Sequence, residues 1–263
     1  MITILKLGGS LITDKNSPHT ARPDVIRRIG KEIFDFWQTD RSPLLIGHGS
    51  GSFGHVPAKR YGTRKGVYSQ QDWAGFAEVH AEAVSLNHIV TNILRECGLP
   101  VISFVPMDEI KTVNGKITRW DITNIVNCYS AYGLIPLIFG DTIFDEETGG
   151  TILSTEDLFM HLCHALPEKP RILLAGLEEG VWQDFPQKTK LIGKIHASEN
   201  EDERFIGGSA STDVTGGMYE KVRLMKELVR KDQALSVSIF SGEQTGNITK
   251  ELKNIPTGTS IVL

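Results

Sequence analysis

Three short stretches of this sequence pair small residues with a cation. The first, Leu5-Lys6-Leu7-Gly8-Gly9-Ser10-Leu11-Ile12-Thr13-Asp14-Lys15, ends an apolar run in two glycines and a serine bracketed by lysines. The second, His48-Gly-Ser-Gly-Ser-Phe-Gly-His55, follows the apolar run Leu44-Leu45-Ile46. The third, Asp213-Val-Thr-Gly-Gly-Met-Tyr-Glu-Lys221, sets Thr215 to cap a helix whose first amides are those of Gly216 and Gly217, with Lys221 one turn inside. Small residues let backbone amides close on an anion, and successive amides make a concave nest for phosphate oxygens. Any one stretch has a plainer use as a turn. Three together, each with its own lysine or histidine, predict a site for phosphoryl transfer.

The glycine spacing invites two other readings, and both fail on neighbouring residues. Gly49-x-Gly51-x-x-Gly54 resembles a dinucleotide fingerprint, but Gly54 runs into His-Val-Pro rather than an evident helix, and no acidic residue ends a second strand about 20 positions on. Gly49-x-x-x-x-Gly54 resembles a phosphate-binding P-loop, yet His55 and Val56 stand where lysine and a hydroxyl are required.

The elements that must position these loops are legible as alternating patterns. Apolar β-rich runs fall at 2–7, 44–47, 101–105, 134–139, 172–175, 237–240 and 260–263. Between them, 24–37 and 72–94 carry apolar residues at three- and four-residue steps, the latter including Phe76, Val79, Ala83 and Leu86. Strand, helix, strand in this rhythm predicts a mostly parallel sheet covered on both faces. Asn114-Gly115 predicts a hairpin turn, and 142–153 a second hairpin around Gly149-Gly150; both are candidate rim elements. The polar stretch 183–210, with its acidic Glu199-to-Glu203 segment, reads as a solvated excursion. His48 reads as a loop-bonding side chain, and His80, His161 and His164 as packing or surface residues.

Composition restricts the partners. A net charge of −4 in 263 residues excludes general affinity for nucleic acid or an anionic membrane, which needs a concentrated basic surface. Cys97, Cys128 and Cys163 have neither disulfide-framework nor zinc-site spacing, and no apolar run reaches membrane-spanning length. A cytoplasmic protein is expected.

The stretches K-L-G-G-S-L-I-T-D-K, H-G-S-G-S-F-G-H-V-P-A-K-R-Y-G, I-F-G-D-T-I-F-D at 138–145 and D-V-T-G-G-M-Y-E-K resemble the amino acid kinase superfamily. Within it they are most similar to the isopentenyl phosphate kinase family, in order and over almost the whole chain. The resemblance implies an α/β fold, an open αβα sandwich with a mostly parallel central sheet. It implies one domain over 1–263, with an N-terminal acceptor lobe at about 1–170 and a C-terminal nucleotide lobe at about 171–263, usually as a homodimer. The implied reaction is ATP-dependent phosphorylation of isopentenyl phosphate to isopentenyl diphosphate with Mg²⁺, a step of isoprenoid precursor synthesis in the mevalonate pathway.

Carried over by position, Lys6, Gly8, Gly9 and Ser10 hold ATP phosphates, with Gly51, Gly217 and Lys221 also on the nucleotide side. Lys15 stabilises the transferring group and His55 binds the acceptor phosphate, so Lys6, Lys15, His55 and Lys221 form the catalytic set. Ser50 and Gly54 contact the acceptor from their loop, joined by Thr155, while Phe76 and Val79 meet its tail. No residue is assigned as a metal ligand.

Three positions depart from the family pattern: Ser50 replaces a glycine, 176–181 reads G-L-E-E-G-V, and Ser154-Thr155-Glu156-Asp157 leaves either Glu156 or Asp157 to orient the lysines. A fosfomycin kinase-like enzyme of the same superfamily is the alternative, followed by a regulatory subunit without turnover.

Overall fold

The computed structural model describes residues 1–198, 217–232 and 235–263. Thr215 and Gly216, and the segment Glu199 to Ala210, lie outside the described residues. The chain opens with β1 (Thr3–Leu7) and a single turn, α1 (Gly9–Ile12), followed by α2 (Pro23–Thr39), β2 (Leu44–His48), α3 (Gly51–Tyr61), a 3₁₀ turn (Thr63–Lys65) and α4 (Gln70–Glu96). Next come β3 (Val101–Ser103), α5 (Pro106–Glu109), the hairpin β4 (Ile110–Val113) and β5 (Lys116–Trp120), α6 (Thr123–Ser130), β6 (Ile135–Phe139), the hairpin β7 (Asp141–Asp145) and β8 (Gly149–Leu153), and α7 (Thr155–Ala165). After β9 (Arg171–Gly176), the short pair β10 (Val181–Trp182) and β11 (Leu191–Ile192) precedes β12 (Lys194–His196), α8 (Gly217–Lys231), β13 (Ser236–Ser241), α9 (Asn247–Leu252) and β14 (Thr259–Val262).

The central sheet runs β12-β14-β13-β9-β1-β2-β6-β3. Every pairing in it is parallel except β13 with β14. Parallel strands need crossovers, and the crossovers cover both faces, so β2 and β6 are buried at every residue. Alternation along the strands then feeds two cores. Ile4, Leu45 and Ile138 face Leu158, Phe159 and Met225 of α7 and α8. Leu5, Leu7 and Ile46 face Ile29, Ile33 and Leu86 of α2 and α4.

Local sequence accounts for the long helices. Proline begins α2, where its missing N–H costs no intrahelical bond, and Asp24 follows in the first turn. Ser69 and Asp72 close a capping box at the start of α4. Asn114 and Gly115 take the positive φ angles of 54° and 73° that the β4–β5 turn requires. Asp145 staples that turn to the second hairpin, accepting from the amides of Asn114, Gly115, Glu147 and Thr148.

Two expectations change. The apolar run at 101–105 ends as a strand at Ser103. Residues 183–198 are not simply a solvated excursion: Lys194 to His196 pair with Ser260 to Val262, making β12 the edge of the main sheet. The polar residues around Ile195 hid a strand that needs only one buried side chain, and Ile195 is 4% exposed.

Candidate active site

In a parallel sheet, ligands gather beyond the carboxyl ends of the strands where the order reverses, because the loops there diverge and leave a crevice. Here β1 lies between β9 and β2, and the loops leaving β1, β2, β6 and β9 border one cleft of about 780 Å³. Lys6, Gly8, Gly9, Ser10, Lys15, Ser50, Gly51, Gly54, His55, Val79, Thr155, Gly217 and Lys221 all line it. Stretches as far apart in sequence as Lys6 and Lys221 therefore converge. Phe76 does not line the cleft; it is buried, packing against Trp73 and Phe144 at ring separations of 5.3 and 5.1 Å.

The first two glycine stretches interlock. A Cβ on Gly9 would overlap the Gly51 backbone nitrogen, and one on Gly8 would sit 2.9 Å from the Ala175 carbonyl oxygen. Gly51 has φ +51°, and its own Cβ would strike both the Thr13 hydroxyl and the Gly9 carbonyl. The Thr13 hydroxyl ties the loops together, donating to the Gly9 carbonyl at 2.7 Å and accepting from the Ser52 amide at 3.0 Å.

The second stretch is a helix rather than a loop. α3 starts at Gly51 and continues through Pro57, so the sequence expectation that no helix opens at Gly54 is corrected. The chain tolerates the proline because buried Pro57 and Ala58 and the close packing of α3 on α4 offset one missing backbone bond. Ser50 is in right-handed helical geometry, φ −78° and ψ −19°, which a side chain accepts without strain. The Ser52, Phe53 and Gly54 amides are taken by Thr13 and Ser50, so this turn meets the cleft through Ser50, Gly51, Gly54 and half-buried His55.

Glu156 and Asp157 have separate jobs. Glu156 is buried and forms an ion pair with Lys6. Burial alone would raise its pKa, but the charges of Lys6 and Lys221 outweigh that and hold the carboxyl at about 2. Asp157 instead closes the capping box of α7, with Oδ2 accepting from the Ser154 amide at 2.8 Å and the Ser154 hydroxyl at 2.7 Å. The same oxygen accepts from the Arg64 guanidinium at 3.3 Å. Thr155 is also buried, and its hydroxyl donates to the His48 carbonyl at 2.6 Å, pinning α7 to the end of β2.

His48 is a loop-bonding residue, as its position implied. Its imidazole contacts the Gly49 carbonyl at 3.1 Å and Asn87 Oδ1 at 3.2 Å, and burial pushes it towards the neutral form. His80 is more than packing. Its Nδ1 lies 3.0 Å from Oδ1 of Asp141, whose side chain is wholly buried at the head of β7. The hydrogen bond to Asp141 raises the His80 value, while burial raises that of Asp141. The only sequence signal for this pair is the acidic residue in I-F-G-D; nothing marks its histidine partner 61 positions earlier. Arg64 also lines the cleft without having been singled out.

The departing stretch 176–181 also walls the cleft. Gly176, Leu177, Gly180 and Val181 border the cleft together with Trp182 and Phe185. Flat apolar surface next to backbone amides and cations can take a purine ring and its phosphates.

Comparison with known proteins follows this geometry. The amino acid kinase family model matches residues 1–241. The isopentenyl phosphate kinase of Methanocaldococcus jannaschii is 32% identical over 270 residues, covering 99% of this chain and 98% of that protein. The enzyme of the same name from Methanothermobacter thermautotrophicus is 32% identical over 260 residues, covering 95% and 94%. A solved isopentenyl phosphate kinase structure superposes with a TM-score of 0.81 at 29% identity, covering 99% of this chain and all of the other.

Proposed function

Because the chain belongs to the amino acid kinase family, we propose that it transfers the terminal phosphoryl group of ATP to isopentenyl phosphate, giving isopentenyl diphosphate and ADP. The observation that carries this reading is the convergence of Lys6, Lys15, His55 and Lys221 with two interlocked glycine turns on one cleft. The relatives described above bear that activity in their names.

Phosphoryl transfer in line through a loose transition state asks little covalent help of a protein; it asks that two anions be brought together and their charge offset. In this reading Lys6 and the amides of Gly9 and Ser10 hold the ATP phosphates, with Gly8, whose own amide bonds the Ala175 carbonyl at 2.8 Å, letting them approach closely, joined by Gly51, Gly217 and Lys221. Glu156 holds Lys6 in place by direct pairing. Lys15 faces the transferring group, and His55 with Ser50 and Gly54 holds the acceptor phosphate. An oxygen of that phosphate attacks the γ-phosphorus while the bond to the β-phosphate oxygen breaks, leaving ADP. The attacking oxygen is already ionised near neutral pH, so no strong general base is needed. Val79 borders the acceptor tail and Thr155 supports the site through His48.

Mg²⁺ fits this arrangement. Among the described residues no three His, Cys, Asp or Glu side chains form a metal cage, and Mg²⁺ is ordinarily carried into kinase sites on substrate phosphates with few protein ligands. When bound it would neutralise phosphate charge. The proposal extends to an acceptor lobe at about 1–170 and a nucleotide lobe at about 171–263, and to a cytoplasmic homodimer serving isoprenoid precursor synthesis in the mevalonate pathway; these rest on the family resemblance. No described helix is long and apolar enough to cross a membrane.

The test is ADP formation with ATP, Mg²⁺ and a panel of isopentenyl, dimethylallyl and geranyl phosphates, fosfomycin and acetylglutamate. The highest kcat/KM should fall on the five-carbon monophosphates. Equal or better use of fosfomycin would reassign the acceptor.

A further inference from the structure

Arg64 has the placement of a phosphate ligand that the catalytic set above leaves out. It sits in the 3₁₀ turn that follows α3, the helix carrying His55. Gly62, at φ +64°, turns the chain so that this segment packs against β8, the strand that leads into α7. Arg64 borders the cleft, and its side chain is 42% exposed. Among the described residues its guanidinium makes one hydrogen bond, the 3.3 Å contact with Asp157.

That bond is the expendable one at its acceptor. Asp157 Oδ2 already takes two shorter bonds from Ser154, so the capping box stays complete if Arg64 leaves. The first turn of α7 carries the carboxylates of Glu156 and Asp157, and a cation beside it offsets their repulsion of an entering anion. A guanidinium also offers a planar fork of donors that matches phosphate oxygens in a way a lysine cannot.

We infer that Arg64 is a second ligand of the acceptor phosphate in addition to His55, exchanging its contact with Asp157 for the incoming monophosphate. The inference rests on the proposed kinase reading for the identity of the acceptor. It assigns Arg64 to acceptor binding rather than to ATP.

Calorimetric titration of R64Q, R64K and the parent protein with isopentenyl phosphate, methyl phosphate and a non-hydrolysable ATP analogue tests it, with thermal unfolding alongside. R64Q should bind both monophosphates roughly ten- to a hundredfold more weakly, the loss of a hydrogen bond between charged groups. R64K should recover part of that loss, while the ATP analogue and the unfolding temperature stay near parental values. Unchanged monophosphate affinity in R64Q would overturn the inference. So would parallel loss of ATP-analogue affinity and thermal stability, since Arg64 would then only brace α7. Methyl phosphate separates this from the acceptor's identity: if the parent protein binds it as tightly as isopentenyl phosphate, the tail assignment fails while the Arg64 comparison still reads.

Discussion

Lys6, at the end of β1, is ion-paired with Glu156 in the first turn of α7, and both side chains are about nine-tenths buried. A pair so placed fixes the lysine where phosphates must pass, and removing one member leaves the other charged and desolvated.

Glu156→Gln should therefore lower stability by roughly 3–5 kcal/mol and kcat/KM by about ten- to a hundredfold. Denaturant unfolding and steady-state kinetics measure the two effects. An unchanged kcat/KM would remove Glu156 from the site.

The same carboxyl sets an acid limit. Its value falls from 4.5 to about 2 on folding, so the unfolded chain binds the proton more tightly. The stability it contributes is whole above pH 4.5 and is lost as pH falls from there through about 2. Unfolding free energy measured across that window should fall less steeply in Glu156→Gln than in the parent protein.

His55→Ala should lose on the order of 100-fold in acceptor kcat/KM, the size expected for a donor aimed at reacting charge. The KM for ATP should hardly move. Loss of ATP binding with acceptor binding intact would assign the first turn of α3 to the wrong substrate.

Gly51→Ala should cost roughly 1–3 kcal/mol from its left-handed backbone alone, with more from the overlap against Thr13 and Gly9. Because Gly9 is displaced too, ATP and acceptor affinities should fall together. A loss confined to one substrate would show that the two turns act independently.

His80→Ala should destabilise the fold by roughly 3–5 kcal/mol, since Asp141 keeps a wholly buried carboxylate without its partner. His80 gains basicity on folding through its bond to Asp141. Its contribution is thus full below the ordinary histidine value and declines as pH rises through the raised one. Thermal unfolding of the variant should lose that part of the parent's pH dependence.

Much of the fold could be read in one dimension. Continuous apolar runs at Leu44 to Gly47 and Leu134 to Phe139 announce strands buried on both faces, and Asn114-Gly115 announces its turn, because each signal lies within a few neighbouring residues. α3 was harder: Pro57 argues against a helix locally, and packing on α4 overrides it. β12 was harder still, since one buried isoleucine among polar neighbours carries no pattern.

The chemistry of the site was set by residue type and spacing alone. Glycines beside Lys6, Lys15, His55 and Lys221 pointed jointly to anion binding, since amides and cations act at short range. Tertiary structure alone decided which acid serves those lysines and which side chains share the cleft. Glu156 and Asp157 are equivalent in sequence, but one helical position turns the first towards Lys6 and the second back onto Ser154. His80 meets Asp141, and Phe76 turns away from the cleft, because contacts across the sheet depend on helix rotation and packing, which no local pattern encodes.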